Sequence, residues 1–140
     1  MNLKVFCDGG ARGNPGPAAI GVIIKSKIDE ERTIWRFGRK IPQSTNNTAE
    51  YKALIEALKH IKLSVVSCQW SVERIDFYLD SKLAVNQLNG LFKLKNPKLR
   101  ELVWQIRNLE QEIPVSIFYH FIPREKNLAH HLVDQAFRSL

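Results

Sequence analysis

The 140-residue chain predicts an α/β domain built on a mixed sheet, on three observations. Short runs rich in Ile, Val and aromatic residues crowd its beginning. The apolar spacing turns helical after Asn47, and from Arg74 onward strand-like and helix-like segments alternate. Strands first, then helices between strands, point to an antiparallel hairpin joined to parallel strands, with helices covering the sheet.

The elements follow in order. Leu3–Asp8 reads as a short central strand. Ala18–Lys27 and Thr33–Lys40 are two more, joined by the charged turn Lys27-Ile28-Asp29-Glu30-Glu31. From Asn47 to about Leu63, residues Ala49, Ala53, Leu54, Ala57, Leu58 and Ile61 recur along one helical face. Arg74–Leu79 is the next strand. A short helix from Ser81 to Leu88 stops at Asn89-Gly90. Asn96-Pro97 opens a helix to about Glu112, with the proline suited to its first turn. Pro114–Phe121 is the last strand, and Asn127–Phe137 a C-terminal helix.

Residues 1–140 suit a single domain, and 44% hydrophobic content is enough for a proper core. No apolar run of about 18 residues and no signal-peptide pattern occur, so a soluble, cytoplasmic protein without a membrane role is expected. Cys7 and Cys68 are too few for a disulfide framework, and Cys7 fits a small buried apolar position. Lys plus Arg outnumber Asp plus Glu by 21 to 14, for a net charge of +7. That balance favours polyanionic partners. Lys93, Lys95, Lys98, Arg100 and Arg107 cluster near Phe92 and Trp104, a pattern that also suits a solvated helix face.

Asp8 and Asp80 each end an apolar strand, where a buried charge needs a polar partner or a metal ion. Each could equally cap the next turn or helix. The run Gly9-Gly10-Ala11-Arg12-Gly13-Asn14-Pro15-Gly16-Pro17 carries little side-chain bulk and lets a ligand approach the backbone, or simply makes a hairpin turn. Glu50, behind Thr45-Asn46-Asn47, either closes a capping box with Asn47 or joins the two aspartates.

These segments resemble a known family. Asp-Gly-Gly-Ala-Arg-Gly-Asn-Pro-Gly-Pro at 8–17, Thr-Asn-Asn-x-x-Glu at 45–50 and Leu-Asp-Ser at 79–81 are similar to the type 1 ribonuclease H family. So are Asn89-Gly90 with Lys95-Asn96-Pro97, and Pro123-Arg124-Glu125-x-Asn127; the set runs in family order over nearly the whole chain. The short segment 89–98 resembles the compact members that lack a basic protrusion. The resemblance implies a ribonuclease H-like fold with a five-stranded mixed sheet flanked by helices. It also implies endonucleolytic cleavage of the RNA strand in RNA–DNA hybrids, leaving 5′-phosphate and 3′-hydroxyl ends.

By the same resemblance Asp8, Glu50 and Asp80 match the metal-binding acids. Three such carboxylates repel one another too strongly to stay ionised without cations. Mg²⁺ prefers hard oxygen ligands and keeps waters, and two ions about 3.5–4 Å apart can activate water and stabilise a leaving oxygen. The family's fourth acid has no acidic counterpart in Asn127-Leu128-Ala129-His130-His131-Leu132-Val133-Asp134. Aligning Ala129 with the family alanine puts His130 there, and counting from Arg124 without a gap puts His131 there; His130 is preferred, because Leu132, Val133 and Ala136 then keep their apolar places. Asp134, one helical turn past His130, is a further alternative, and a missing ligand is another. Imidazole suits Mn²⁺ better than Mg²⁺, so relatively stronger activity with Mn²⁺ is expected. Arg124 stays protonated and is expected to clamp a phosphate, whereas His120 belongs to the strand surface.

The 2′-hydroxyl distinguishes RNA from DNA in the minor groove. Backbone groups of Gly10, Ala11, Arg12 and Gly13 and the side chain of Asn46, by the same resemblance, and the side chains of Asn14 and Gln87 are expected to read it; Gln87 could also be a plain exposed helix residue. Thr45 is assigned to a DNA-strand phosphate, with Asn47 and Ser81 nearby and Lys93, Lys95 and Lys98 on further phosphates. A monomer is expected. Two rival functions remain at this point: a catalytically weakened hybrid-binding module, and a DNA-acting nuclease on the same fold.

Overall fold

The computed structural model describes residues 1–139. Strand β1 (Asn2–Ala11) lies at the centre of a five-stranded sheet ordered β3-β2-β1-β4-β5. It pairs antiparallel with β2 (Gly16–Lys27), which pairs antiparallel with β3 (Glu31–Ser44). On its other side β1 runs parallel to β4 (Arg74–Leu79), and β4 parallel to β5 (Ser116–Phe121). Parallel neighbours cannot be joined by a tight turn. The crossovers are α1 (Asn46–Val66) before β4, then α2 (Lys82–Leu88) and α3 (Pro97–Gln111) before β5. A single 3₁₀ turn, Arg124–Lys126, precedes α4 (His130–Arg138).

Side chains alternate across each strand, and here the alternation divides two different environments. Leu3, Val5 and Cys7 of β1, Ile20, Val22 and Ile24 of β2, and Ile75, Phe77 and Leu79 of β4 are fully buried. Leu54, Leu58 and Ile61 of α1 and Ile106 of α3 close over them. On the opposite face α4 packs Val133 and Ala136 against Ala19. A Cβ on Gly21 would lie 2.7 Å from the carbonyl oxygen of Ala129, so only glycine lets the chain pass this close.

Several boundaries differ from the sequence expectation: β1 runs past Asp8 to Ala11, β2 begins at Gly16, β3 spans Glu31–Ser44, α1 reaches Val66 and β5 begins at Ser116, and two differences at helix starts shape the site. Thr45, not Asn47, caps α1: its hydroxyl accepts from the Thr48 N–H at 3.2 Å. The capping box between Asn47 and Glu50 does not form, which leaves Glu50 free to face the end of β1. The last helix starts at His130 rather than Asn127, because Asn127 is buried and extended, with φ −79° and ψ 107°.

Candidate active site

Because Leu3, Val5 and Cys7 face α1, the pleat turns Asp8 toward α4. Gly9 then faces α1 so closely that a Cβ there would lie 2.3 Å from the Ala49 carbonyl group. That approach carries the first turn of α1, with Glu50, over the end of β1. Asp80 follows β4, the parallel neighbour of β1, and so emerges at the same end of the sheet. Asp8, Glu50 and Asp80 thus line one cleft of about 470 Å³, together with Ser81, Arg124, His130 and Asp134.

The cleft disfavours negative charge. Burial, the charge of Asp80 and, working against them, the hydrogen bond from His130 leave the Asp8 carboxyl titrating at about 6. Burial, then Asp80, then Asp8 push Glu50 up to about 8, with Ser81 and Arg124 acting in the opposite sense. One Glu50 oxygen, Oε2, is buried without a hydrogen-bond partner among the described residues. An unsatisfied buried carboxylate oxygen of this kind is costly and calls for a cation or donor.

His130 and Asp134 enter the cleft from α4. His130 Nδ1 lies 2.8 Å from Asp8 Oδ2, while its Nε2 is 3.7 Å from Asp134 Oδ2. His131 does not join them: it is exposed and lines a separate cavity on the other side of the 123–131 segment. A residue not assigned a role from sequence holds the site together. Asn127 donates from Nδ2 to the Cys7 carbonyl at 2.9 Å and to Asp80 Oδ2 at 3.1 Å, and its Oδ1 accepts from the Ala129 N–H at 3.1 Å. It therefore ties β1, Asp80 and the start of α4 to one point. A buried asparagine just before a helix was the available signal.

The glycine-rich loop is clasped to α1. The Ala11 N–H donates to Asn46 Oδ1 at 2.7 Å, and the Asn46 N–H donates to Asn14 Oδ1 at 3.1 Å. Asn14, Thr45, Asn46 and Asn47 line a groove of about 880 Å³ that also touches Lys98. Gly10, Ala11 and Arg12 border the acid cleft, and Arg12 stacks over Phe137, 4.5 Å from the ring centre. Gly13 adopts φ +92°, a conformation suited to glycine. Gln87 is not an exposed helix residue: half-buried, it accepts a hydrogen bond from the Tyr51 hydroxyl and borders neither the cleft nor the groove. Lys93 and Lys95 stand between α2 and α3 and line neither, although the adjacent Asn96 lines the groove. His120 sits on β5 with Nε2 2.7 Å from Asp76 Oδ1.

The donor set fits divalent cations: hard carboxylate oxygens, one of them unpartnered, in a cleft open to water. Among the described residues no three His, Cys, Asp or Glu side chains enclose an ion by themselves. Waters and a phosphate would have to complete the coordination, as Mg²⁺ commonly requires.

A mixed five-stranded sheet with acids at the ends of its central strands, faced by a helix-borne glutamate, defines a protein of the ribonuclease H fold. Residues 6–136 match the profile of the family described as reverse transcriptase-like. A bifunctional protein of Mycobacterium tuberculosis is 34% identical over 99% of this chain, which spans 37% of that relative's length. Ribonuclease HI of Helicobacter pylori is 33% identical over 90% of this chain and 73% of its own. The crystal structure of LC11-RNase H1 in complex with RNA/DNA hybrid superimposes with a TM-score of 0.86, at 38% identity over 97% of this chain and 96% of that one. The chain belongs to the type 1 ribonuclease H family, in its compact form. No helix among the described residues is long and apolar enough to cross a membrane.

Proposed function

We propose that this protein is an endonuclease that hydrolyses the RNA strand of RNA–DNA hybrids, leaving 5′-phosphate and 3′-hydroxyl ends. The observation that carries the reading is the cleft shared by Asp8, Glu50 and Asp80, with Glu50 Oε2 buried and unpartnered. Divalent cations, two per site and Mg²⁺ or Mn²⁺, would supply activation of the attacking water and neutralisation of the leaving 3′-oxygen. Asp8, Glu50 and Asp80 would hold them. His130 occupies the fourth corner and braces Asp8 through Nδ1, with Asp134 one turn behind it. Arg124, at the rim of the cleft, clamps the scissile phosphate and stays charged throughout. Asn127 fixes the position of Asp80.

Recognition runs along the neighbouring groove. Backbone groups of Gly10–Gly13 with the amides of Asn14, Asn46 and Asn47 face the RNA 2′-hydroxyls, and Thr45 and Lys98 face DNA-strand phosphates. Ser81 borders the cleft beside Glu50. Lys93 and Lys95 add sequence-independent, salt-sensitive attraction.

The test uses labelled RNA–DNA hybrid, double-stranded RNA and double-stranded DNA, each with Mg²⁺ or Mn²⁺. Cleavage of the hybrid, faster with Mn²⁺ and lost in Asp8→Asn, is the expected result. Hybrid binding without cleavage would instead mark a weakened binding module, and cleavage of DNA duplex a DNA-acting nuclease.

A further inference from the structure

Behind the 123–131 segment lies a second cavity, of about 450 Å³, which shares Arg124 and His130 with the acid cleft. Its character is the reverse of its neighbour's. Lys25 from β2, Arg36 from β3 and Arg124 converge on it with His131, against the single acid Glu125. None of those three cations forms an ion pair among the described residues. The acid whose field reaches Lys25, Glu31, is already engaged by Lys4 at 2.6 Å. Ile23 and Leu128 add apolar surface.

Bare like charges held around a concave wall repel one another, and an anion relieves that repulsion. The volume falls within the range of small-molecule sites, large enough for one nucleotide and too small for a duplex. Two cationic side chains of the sheet, a guanidinium shared with the cleft and an apolar floor suit a phosphate attached to a base or sugar.

We propose that this cavity is a second phosphate-binding site, which takes a nucleotide phosphate on a single strand leaving the catalytic cleft past Arg124 and His130. A free nucleoside monophosphate carries the same chemistry. The single-strand assignment rests on the hybrid-cleaving reading; the capacity to bind a nucleotide phosphate does not.

Binding is measured in the Asp8→Asn background, so that no substrate is cut, with a blunt hybrid and the same hybrid carrying a short single-stranded RNA tail. The tail tightens binding by roughly three- to tenfold at low salt, and each single-strand phosphate contact adds about 0.7 to the salt slope. Lys25→Ala/Arg36→Ala abolishes the gain from the tail and leaves blunt-hybrid affinity unchanged. Lys27→Ala/Lys59→Ala removes the same charge elsewhere and retains the gain. Arg36→Gln alone serves if the double variant does not fold. In a separate arm, adenosine monophosphate and inorganic phosphate are titrated while the His131 imidazole resonances are followed by NMR. A nucleotide response lost in the Lys25/Arg36 variant supports the site whatever the tail does, and identifies a free nucleotide as occupant if the tail has no effect. Equal losses with both double variants, or no response to tail and nucleotide alike, overturn the proposal. Failure to bind blunt hybrid, with the nucleotide response intact, would remove the hybrid reading alone.

Discussion

The two faces of the sheet are made by the same strands and do different work. Toward α1 and α3, β1 offers Leu3, Val5 and Cys7, all at most 1% exposed, within one continuous apolar core. Toward α4 it offers Lys4, Phe6 and Asp8. The short α4 packs mainly on β1, β2 and β3, and beside it the rings of Phe6, Tyr78 and His120 stack half-buried at 5.2 and 5.1 Å. The first face stabilises the fold; the second holds the acids, the cations and the cavities. The pleat lets one strand do both, since consecutive residues never share an environment.

The sharpest way to separate the faces is Asp8→Asn. It removes a metal-holding oxygen while leaving the core untouched. If cation stabilisation of the transition state contributes several kcal/mol, hybrid cleavage falls by about 10³-fold, with the melting temperature of the metal-free protein unchanged or raised. A matching loss of folded protein would show that Asp8 belongs to the core instead. The converse substitution, Leu58→Ala, deletes a fully buried side chain of α1. It lowers unfolding free energy by about 2–5 kcal/mol in denaturant titrations, while turnover per folded molecule stays near that of the parent.

Without divalent cations the acid face should itself weaken the fold as pH rises. Asp8 and Glu50 hold their protons more tightly folded, at about 6 and about 8, than unfolded, near 3.8 and 4.5. Stability is therefore greatest below pH 4 for these two groups and is lost as pH climbs through the folded values. A decline of about 2 kcal/mol or more between pH 4 and 8 in chelator, reversed by Mg²⁺ or Mn²⁺, is expected from thermal melts. A flat profile would count against charge crowding in the cleft. The smallest effect falls at the joint between the faces. Asn127→Ala loses the bonds to Cys7, Asp80 and Ala129, lowering stability by about 1–3 kcal/mol and raising the cation concentration for half-maximal cleavage about tenfold. Lost stability with an unchanged cation requirement would make Asn127 a structural residue alone.

Much of this was legible beforehand. Periodicity and start and stop signals located all five strands and four helices, because they depend on local geometry, even though β2 is buried on both faces. Asp80 directly follows β4 as expected, whereas β1 runs on past Asp8 to Ala11 in its pairing with β2. Less visible were the events at helix starts. Thr45 outcompetes Asn47 as the α1 cap through a local bond to the Thr48 N–H, and buried Asn127 delays α4 to His130; the second depends on partners distant in sequence. The apolar places of Leu132, Val133 and Ala136 favoured His130 over His131, and it is His130 that reaches Asp8, while both histidines line the second cavity.

By itself, then, the chain determined the order of its elements and its net positive charge, since these rest on residue type and local period; Asp8, Glu50 and Asp80 were singled out as a metal-binding set only by resemblance to a family. Only the tertiary structure decided which charges meet. Parallel pairing of β1 with β4 brings Asp80 level with Asp8, and Gly9 lets α1 deliver Glu50 between them. Packing of α4 on the opposite face sets Lys25 and Arg36 behind a wall they share with the acids. Those encounters follow from long-range packing, and Coulomb interactions depend on distances in space that spacing along a chain does not encode.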